Sequence, residues 1–283
     1  MKIKDVFEKS VQFFKDKKIE TARLDTELLL AFALKIERVQ IYMKYEQPLS
    51  ESEVGICREL VRRRAMGEPI AYITGEKGFY GENFLVGPGV LIPRPETELI
   101  VEESLNFIKK HTIQNPRILD LGAGSGCIGF SILKNCTGAS LVSVEKSEQA
   151  FQYLKANQEK LLLSERSRLV SDDVLNLSLD SAEFDIIVAN PPYIADKDPQ
   201  TEAMVHKFEP HSALYAAEGG MSAIKAWSRA ARSALKVPGA MLFEIGHQQG
   251  PVAKNYFESL ERFAEVKILK DLSGLDRVIK SIQ

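Results

Sequence analysis

From residue 116 onward, short apolar runs alternate with helical ones, and this alternation limits the fold more than any other feature of the chain. The runs are "RILDL" (117–121), "SLVSVE" (140–145), "SRLVS" (167–171), "FDIIVAN" (184–190), "GAMLFEIG" (239–246), "EVKILK" (265–270) and "DRVIKSI" (276–282). Two parallel strands need a long crossover between them, and a helix is the usual crossover. Strand–helix alternation therefore predicts a mostly parallel sheet with helices on both faces. The unbroken apolar core of "FDIIVA" is what a strand covered on both faces requires. Only a short glycine-containing loop separates the last two runs, so they are expected to close the sheet as an antiparallel hairpin at its edge.

The chain has 283 residues, 45% of them apolar and 27% charged, with a formal net charge of −2. That length can bury a sizeable core, in one large domain or two modest ones. The near-neutral balance gives no global electrostatic case for a nucleic-acid or membrane partner. No apolar stretch approaches the ~20 residues of a membrane span. The opening "MKIKDVFEKS" lacks the apolar centre of a signal peptide. Cys57, Cys127 and Cys136 form neither a CxxC pair nor a metal-ligand spacing, and free thiols in a reducing compartment are expected. The expectation is a cytoplasmic protein without structural metal. It is also expected to be a monomer, because no heptad or exposed apolar stripe stands out.

Residues 1–75 have a different character. "TARLDTELLLAFALK" (21–35) places Leu24, Leu28 and Ala31 on one helical face, with Leu30 and Leu34 adjoining and Thr21 or Asp25 available as a cap. "SESEVGICRELVRRRAMG" (50–67) opens on a Ser50–Glu53 capping box and closes at Gly67. Four or five helices are expected. With 14 Lys+Arg against 12 Asp+Glu over 1–75, the "RRR" of 62–64 reads as a solvated helix face rather than a nucleic-acid patch. Residues 76–95 hold four glycines, three prolines and alternating apolar residues, which predicts a β-hairpin linker. The predicted domains are helical 1–75, linker 76–95 and α/β 96–283.

Ligands of doubly wound sheets bind at the carboxyl ends of the strands. The first strand runs into "DLGAGSG" (120–126), where Gly122, Gly124 and Gly126 flank Ala123 and Ser125 and let the backbone approach a ligand. The second strand ends at Glu145, whose carboxylate can accept two hydrogen bonds from a ribose diol. The third leads to "SDD" (171–173), where Asp172 or Asp173 can meet an adenine edge. Together these strand ends describe a nucleoside pocket. Gly124, Gly126 and Gly129 also fit the dinucleotide pattern G-x-G-x-x-G, but that register leaves Gly122 unexplained.

The fourth strand stops at "ANPPYI" (189–194). Pro191 and Pro192 fix φ and remove two backbone donors. What remains is a rigid set of acceptors, the Asn190 side-chain oxygen and the Asn190 and Pro191 carbonyls, with Tyr193 as a flat wall. Such a set suits a planar NH₂ group with two donors to satisfy. An amide nitrogen is a poor nucleophile because its lone pair is delocalised. Acceptors pulling on its hydrogens favour localising that pair and aim it at an electrophilic methyl carbon.

The "E/DxGxGxG" pattern resembles the first motif of the seven-stranded, Rossmann-like S-adenosylmethionine-dependent methyltransferases. Over nearly its whole length the chain resembles the release-factor glutamine methyltransferases. The resemblance is carried by "GEPIAYITGEKGFYG" (67–81), "LIPRPETE" (91–98), "ILDLGAGSGCI" (118–128), "NPPYI" (190–194), "FEPHSAL" (208–214) and "FEIGHQQG" (243–250). It implies a helical domain that docks peptide chain release factors. It also implies a catalytic domain that methylates the glutamine of their Gly-Gly-Gln loop. Carried over by position, Gly122 to Gly126, Glu145, Asp172 or Asp173, and Asn190 would hold S-adenosyl-L-methionine, and Asn190 to Tyr193 the glutamine amide. "NPPY" is shared with DNA and RNA amino-methyltransferases, but the nearly neutral 1–75 lacks the basic recognition surface those need. A non-catalytic binding module is a third reading, disfavoured by the intact glycines, Glu145 and Asn190. Arg94 is open between contacting substrate and pinning the linker. Phe79 and Phe84 are open between pocket wall and core. Glu244 is expected to support the site, Trp227 to lie in the core, and His206, His211 and His247 to lie on the surface or in loops.

Overall fold

The structure is a computed structural model that describes residues 1–195 and 207–283, so His206 lies outside the described residues. The chain divides into two compact units, Met1–Glu76 and Lys77–Gln283.

The first unit holds helices α1 (Ile3–Asp16), α2 (Ala22–Leu34), α3 (Arg38–Met43), α4 (Glu51–Ala65) and α5 (Ile70–Thr74). On α1, Ile3, Val6, Phe7 and Phe14 recur at helical spacing and are all buried. The start of α4 is the predicted capping box. Ser50 Oγ accepts from the Glu53 backbone N at 3.2 Å, and Glu53 Oε2 accepts from the Ser50 backbone N at 2.8 Å. The face of α2 differs from the expected one. Leu24 is 42% exposed, while Asp25, Thr26, Glu27, Leu29 and Leu30 are buried. The cause is charge pairing, which periodicity does not see: Asp25 meets Arg64 at 2.7 Å and Glu27 meets Arg38 at 2.6 Å. Thr21 occupies the α2 N-cap position without making a side-chain cap bond. The basic run is neutralised within the unit, since Arg62 pairs with Glu59, Arg63 with Glu68 and Arg64 with Asp25.

The second unit begins within a hairpin, β1 (Glu76–Phe79) and β2 (Glu82–Leu85). Tyr80 and Gly81 at its tip have φ of 47° and 82°, the two positive angles of the tight turn that matches strand twist. Phe79 and Phe84 pack edge-on at 6.1 Å in the core, which settles their role as packing. Next come α6 (Glu98–Lys110), β3 (Arg117–Leu121), α7 (Cys127–Asn135), β4 (Ser140–Val144), α8 (Glu148–Lys160), β5 (Ser167–Val170) and β6 (Phe184–Ala189). After the two-residue pair β7 (Ile194–Ala195) and β8 (Tyr215–Ala216), with α9 (His211–Leu214) before β8, follow α10 (Ser222–Ala231), β9 (Leu235–Glu244), α11 (Gly250–Glu258), β10 (Glu265–Lys270) and β11 (Asp276–Ile282).

The seven-stranded sheet has the order β10-β11-β9-β6-β3-β4-β5. Only β11 runs against the rest, pairing antiparallel with both β9 and β10. The alternation and the closing hairpin are thus as predicted. Successive residues serve opposite faces. Ile118, Ile186, Val188 and Leu242 join one core cluster, and Leu119, Ile187, Ala189 and Phe243 the other. Each large side chain so buried contributes about 1.5–3 kcal/mol. Among the described residues, no helix is long and apolar enough to cross a membrane. Nor, among them, is any group of three or more His, Cys, Asp or Glu side chains placed to hold a metal ion. His211 and His247 are exposed.

Candidate active site

The strand order reverses between β3 and β6, and a crevice opens at their carboxyl ends, as such a switch point requires. There lies a cavity of about 430 Å³. The loop after β3 contributes Gly122, Ala123, Gly124 and Ser125. The ends of β4 and β5 contribute Glu145, Asp172 and Asp173, and the end of β6 contributes Asn190 and Pro192. Of the residues singled out from sequence, Gly126, Pro191 and Tyr193 do not line it. Gly126 instead leaves room for Phe130 and Leu154, whose atoms come within 2.4 and 2.7 Å of where a Cβ would sit.

The lining has the chemistry of a nucleoside site. Gly124 has φ +56°, and a Cβ there would find nothing nearer than Val90 Cγ2 at 3.8 Å. A side chain would project into free space that a ligand can use. Glu145 is 8% exposed. Its Oε2 accepts from Gly124 N at 2.9 Å and its Oε1 from Ser147 N at 2.8 Å. Each oxygen keeps an acceptor position, which fits a pair of ribose hydroxyls. Asp173 Oδ1 accepts from Leu175 N at 3.0 Å and its Oδ2 from Lys146 Nζ at 3.2 Å. The Leu175 bond first, and Lys146 after it, hold this carboxyl below its usual range. Asp172 Oδ1 accepts from Asp173 N and Asn176 Nδ2, at 2.7 and 3.0 Å. Behind the glycine loop, Asp120 is fully buried. Its Oδ2 accepts from Gly129 N at 3.0 Å, and its Oδ1 has no hydrogen-bond partner among the described residues. Burial, with the nearby Glu145 charge adding to it, pushes its carboxyl up to about 7. Burial likewise pushes the Cys127 thiol up to about 12, which leaves it inert.

On the far side, four polar side chains converge at the "NPPY" turn. Asn190 Nδ2 lies 3.3 Å from Thr97 Oγ1. Thr97 Oγ1 donates to Glu244 Oε2 at 2.6 Å, and the Tyr193 hydroxyl donates to Glu244 Oε1 at 2.9 Å. Glu244 is fully buried and its carboxyl is raised by that burial. Tyr193 is raised as well, first by burial and then by Glu244, and keeps its proton. Gln249 fixes the turn by donating to the Tyr193 carbonyl at 2.9 Å and the Gly219 carbonyl at 2.8 Å.

Sequence reasoning missed part of the lining. Trp227 lines the cavity besides packing on the core, with its ring 2.5 Å from where a Cβ of Gly122 would sit. Thr97, Leu91 and Ile92 line it from the segment after the hairpin. Arg94 lines it too, but its guanidinium is taken by Glu209 at 2.5 Å, and Glu209 also accepts from Ile92 N at 3.1 Å. The linker is therefore pinned to the "FEPH" stretch. The proline-rich run was the available signal for this wall.

A doubly wound seven-stranded sheet with a glycine loop and a buried acid at its switch point is the arrangement of an S-adenosylmethionine-dependent methyltransferase. Residues 5–75 match the family described as "PrmC N-terminal domain", and residues 99–250 the "Methyltransferase small domain". The release factor glutamine methyltransferase of Chlorobaculum tepidum is 36% identical over 96% of this chain and 94% of its own. That of Geobacter sulfurreducens is 36% identical over 98% of this chain and 95% of its own. The chain belongs to the release factor glutamine methyltransferase family. Among solved structures, the hMettl16 catalytic domain in complex with the MAT2A 3'UTR hairpin 6 shares the fold. It has a TM-score of 0.56 at 16% identity, covering 79% of this chain and 81% of that one.

Proposed function

We propose that this chain methylates the side-chain amide nitrogen of the glutamine in the Gly-Gly-Gln motif of peptide chain release factors. The observation that carries the reading is Asn190, which lines a cavity suited to S-adenosylmethionine with Pro192 beside it. The cofactor supplies a methyl group on a sulfonium, with a neutral thioether as leaving group. Glu145 holds the ribose diol, and the backbone around Gly124 gives close access to the rest. Asp172 and Asp173 border the adenine end. The Asn190 side-chain oxygen and a backbone carbonyl of the turn accept the two hydrogens of the glutamine NH₂. They hold the nitrogen in line and bear the positive charge that grows on it. Once alkylated, the nitrogen is acidic enough to lose its proton without a dedicated base.

Met1–Glu76 is the docking unit for the release factor in this reading. Its arginine run is paired internally, which favours a protein partner over a nucleic acid. The enzyme acts as a cytoplasmic monomer.

The test is peptide-level mass spectrometry after incubation with labelled S-adenosylmethionine and a recombinant release factor. One added methyl on the Gly-Gly-Gln glutamine is expected. Asn190→Ala is expected to lose about 10²–10³-fold in turnover while cofactor binding by calorimetry stays within about threefold. Label on duplex DNA and none on the release factor would overturn the assignment.

A further inference from the structure

We infer that Thr97 and Glu244 decide which arm of the Asn190 amide faces the substrate, so that a carboxylate three bonds from the glutamine acts as the orienting element of the site. This rests on the functional reading above and deepens it.

A threonine hydroxyl has one proton to give. With Glu244 ionised, Thr97 Oγ1 donates to Glu244 Oε2 across 2.6 Å, and its one proton is committed there. Thr97 is then only an acceptor toward Asn190. The amide must answer with its NH₂ arm, and Nδ2 is the atom found 3.3 Å away. The oxygen arm is left for the cavity that Asn190 lines. With Glu244 ionised, the direction of the Thr97 proton dictates which arm of the amide faces it. The second Glu244 oxygen is occupied by the Tyr193 hydroxyl, so both members of the "NPPY" turn hang from one carboxylate.

If Glu244 gains a proton, the relay reverses. The acid donates to Thr97, Thr97 donates to Asn190, and the amide turns its oxygen inward. A donor then faces the substrate NH₂, where an acceptor is needed. The groups that bear on Glu244 include Thr97, Tyr193, Arg277 on β11, Glu96 and the Cys127 thiol; Arg277 favours the carboxylate and Glu96 opposes it. Burial outweighs them and raises the carboxyl, so the reversal falls above the ordinary carboxylate range. Thr97 and Glu244 touch no reacting atom and are positioning residues.

The experiment measures kcat and KM for methyl transfer to a release factor, from about pH 5 to about pH 9, in the full chain. Wild type is expected to lose kcat on the acid side. Thr97→Val keeps the shape and removes the hydroxyl; it should lower kcat about tenfold or more and abolish the acid limb, with cofactor affinity held. Thr97→Ser should restore turnover to within about threefold and bring the limb back. Glu244→Gln, a nearly isosteric mimic of the reversed state, should lower kcat about 30-fold and show no acid limb. Wild-type turnover in Thr97→Val, or an acid limb that survives in Glu244→Gln, would overturn the relay. If wild type does not methylate the release factor, the substrate reading falls and the relay is read directly from the Asn190 side-chain ¹⁵N resonances. A pH-dependent shift lost in Thr97→Val supports it, and a shift unchanged in that variant overturns it.

Discussion

Asp120 shows how burial, reinforced by a neighbouring charge, can give one side chain a measurable signature. Burial pushes its carboxyl up to about 7 in the folded chain, against an ordinary value near 4. The folded state therefore binds the extra proton between those limits. The associated stability is complete below about pH 4 and is lost as the pH climbs through about 7. Asp120→Asn cannot titrate and can still accept from Gly129 N. Its urea stability should fall less than wild type between about pH 5 and about pH 8, by on the order of 2–4 kcal/mol. Parallel curves for the two proteins would rule this out. The same residue marks a limit of reading sequence. Glu145 and Asn190 were legible because each stands at the end of an apolar run, and the sheet turns strand ends into a site. Thr97 and Glu244 are 147 positions apart, and Thr97 and Asn190 are 93 apart. No spacing rule joins such residues before the chain is folded.

Single side chains also tie whole elements together. Asn157 on α8 accepts from Leu85 N at 2.7 Å and donates to Leu85 O at 3.0 Å and Ser125 O at 2.9 Å. It thereby fastens the hairpin to the glycine loop after β3. Asn157→Ala would strand three polar groups in the interior. A loss of about 2–4 kcal/mol in urea denaturation is expected, with several-fold weaker cofactor binding by calorimetry. An unchanged midpoint would show that water replaces the amide. Strands and hairpin were readable because their period and turn residues are local. The buried face of α2 was not, since Asp25 and Glu27 are tolerated inside only through Arg64 and Arg38, partners the helix itself does not contain.

Each of the two units has its own apolar clusters. In Met1–Glu76, Phe7, Leu30 and Ile41 group together, as do Phe14, Leu29 and Leu60. In Lys77–Gln283 the two faces of the sheet are filled independently. A chain reduced to residues 77–283 should therefore fold and bind cofactor within about twofold of the full protein. If Met1–Glu76 docks the release factor, that truncation should raise KM for the intact factor about tenfold or more and leave kcat nearly unchanged. An unaltered KM in steady-state kinetics would assign docking to the larger unit.

Trp227 is the sole tryptophan of the chain, and its ring rests against Gly122 in the cavity wall. An indole responds to the polarity and stacking of whatever lies beside it. The whole fluorescence of this protein above the tyrosine band thus arises from one ring in the cavity wall. Arrival, turnover and release of ligand can be followed in real time as a change in emitted light, with no dye attached and no residue exchanged.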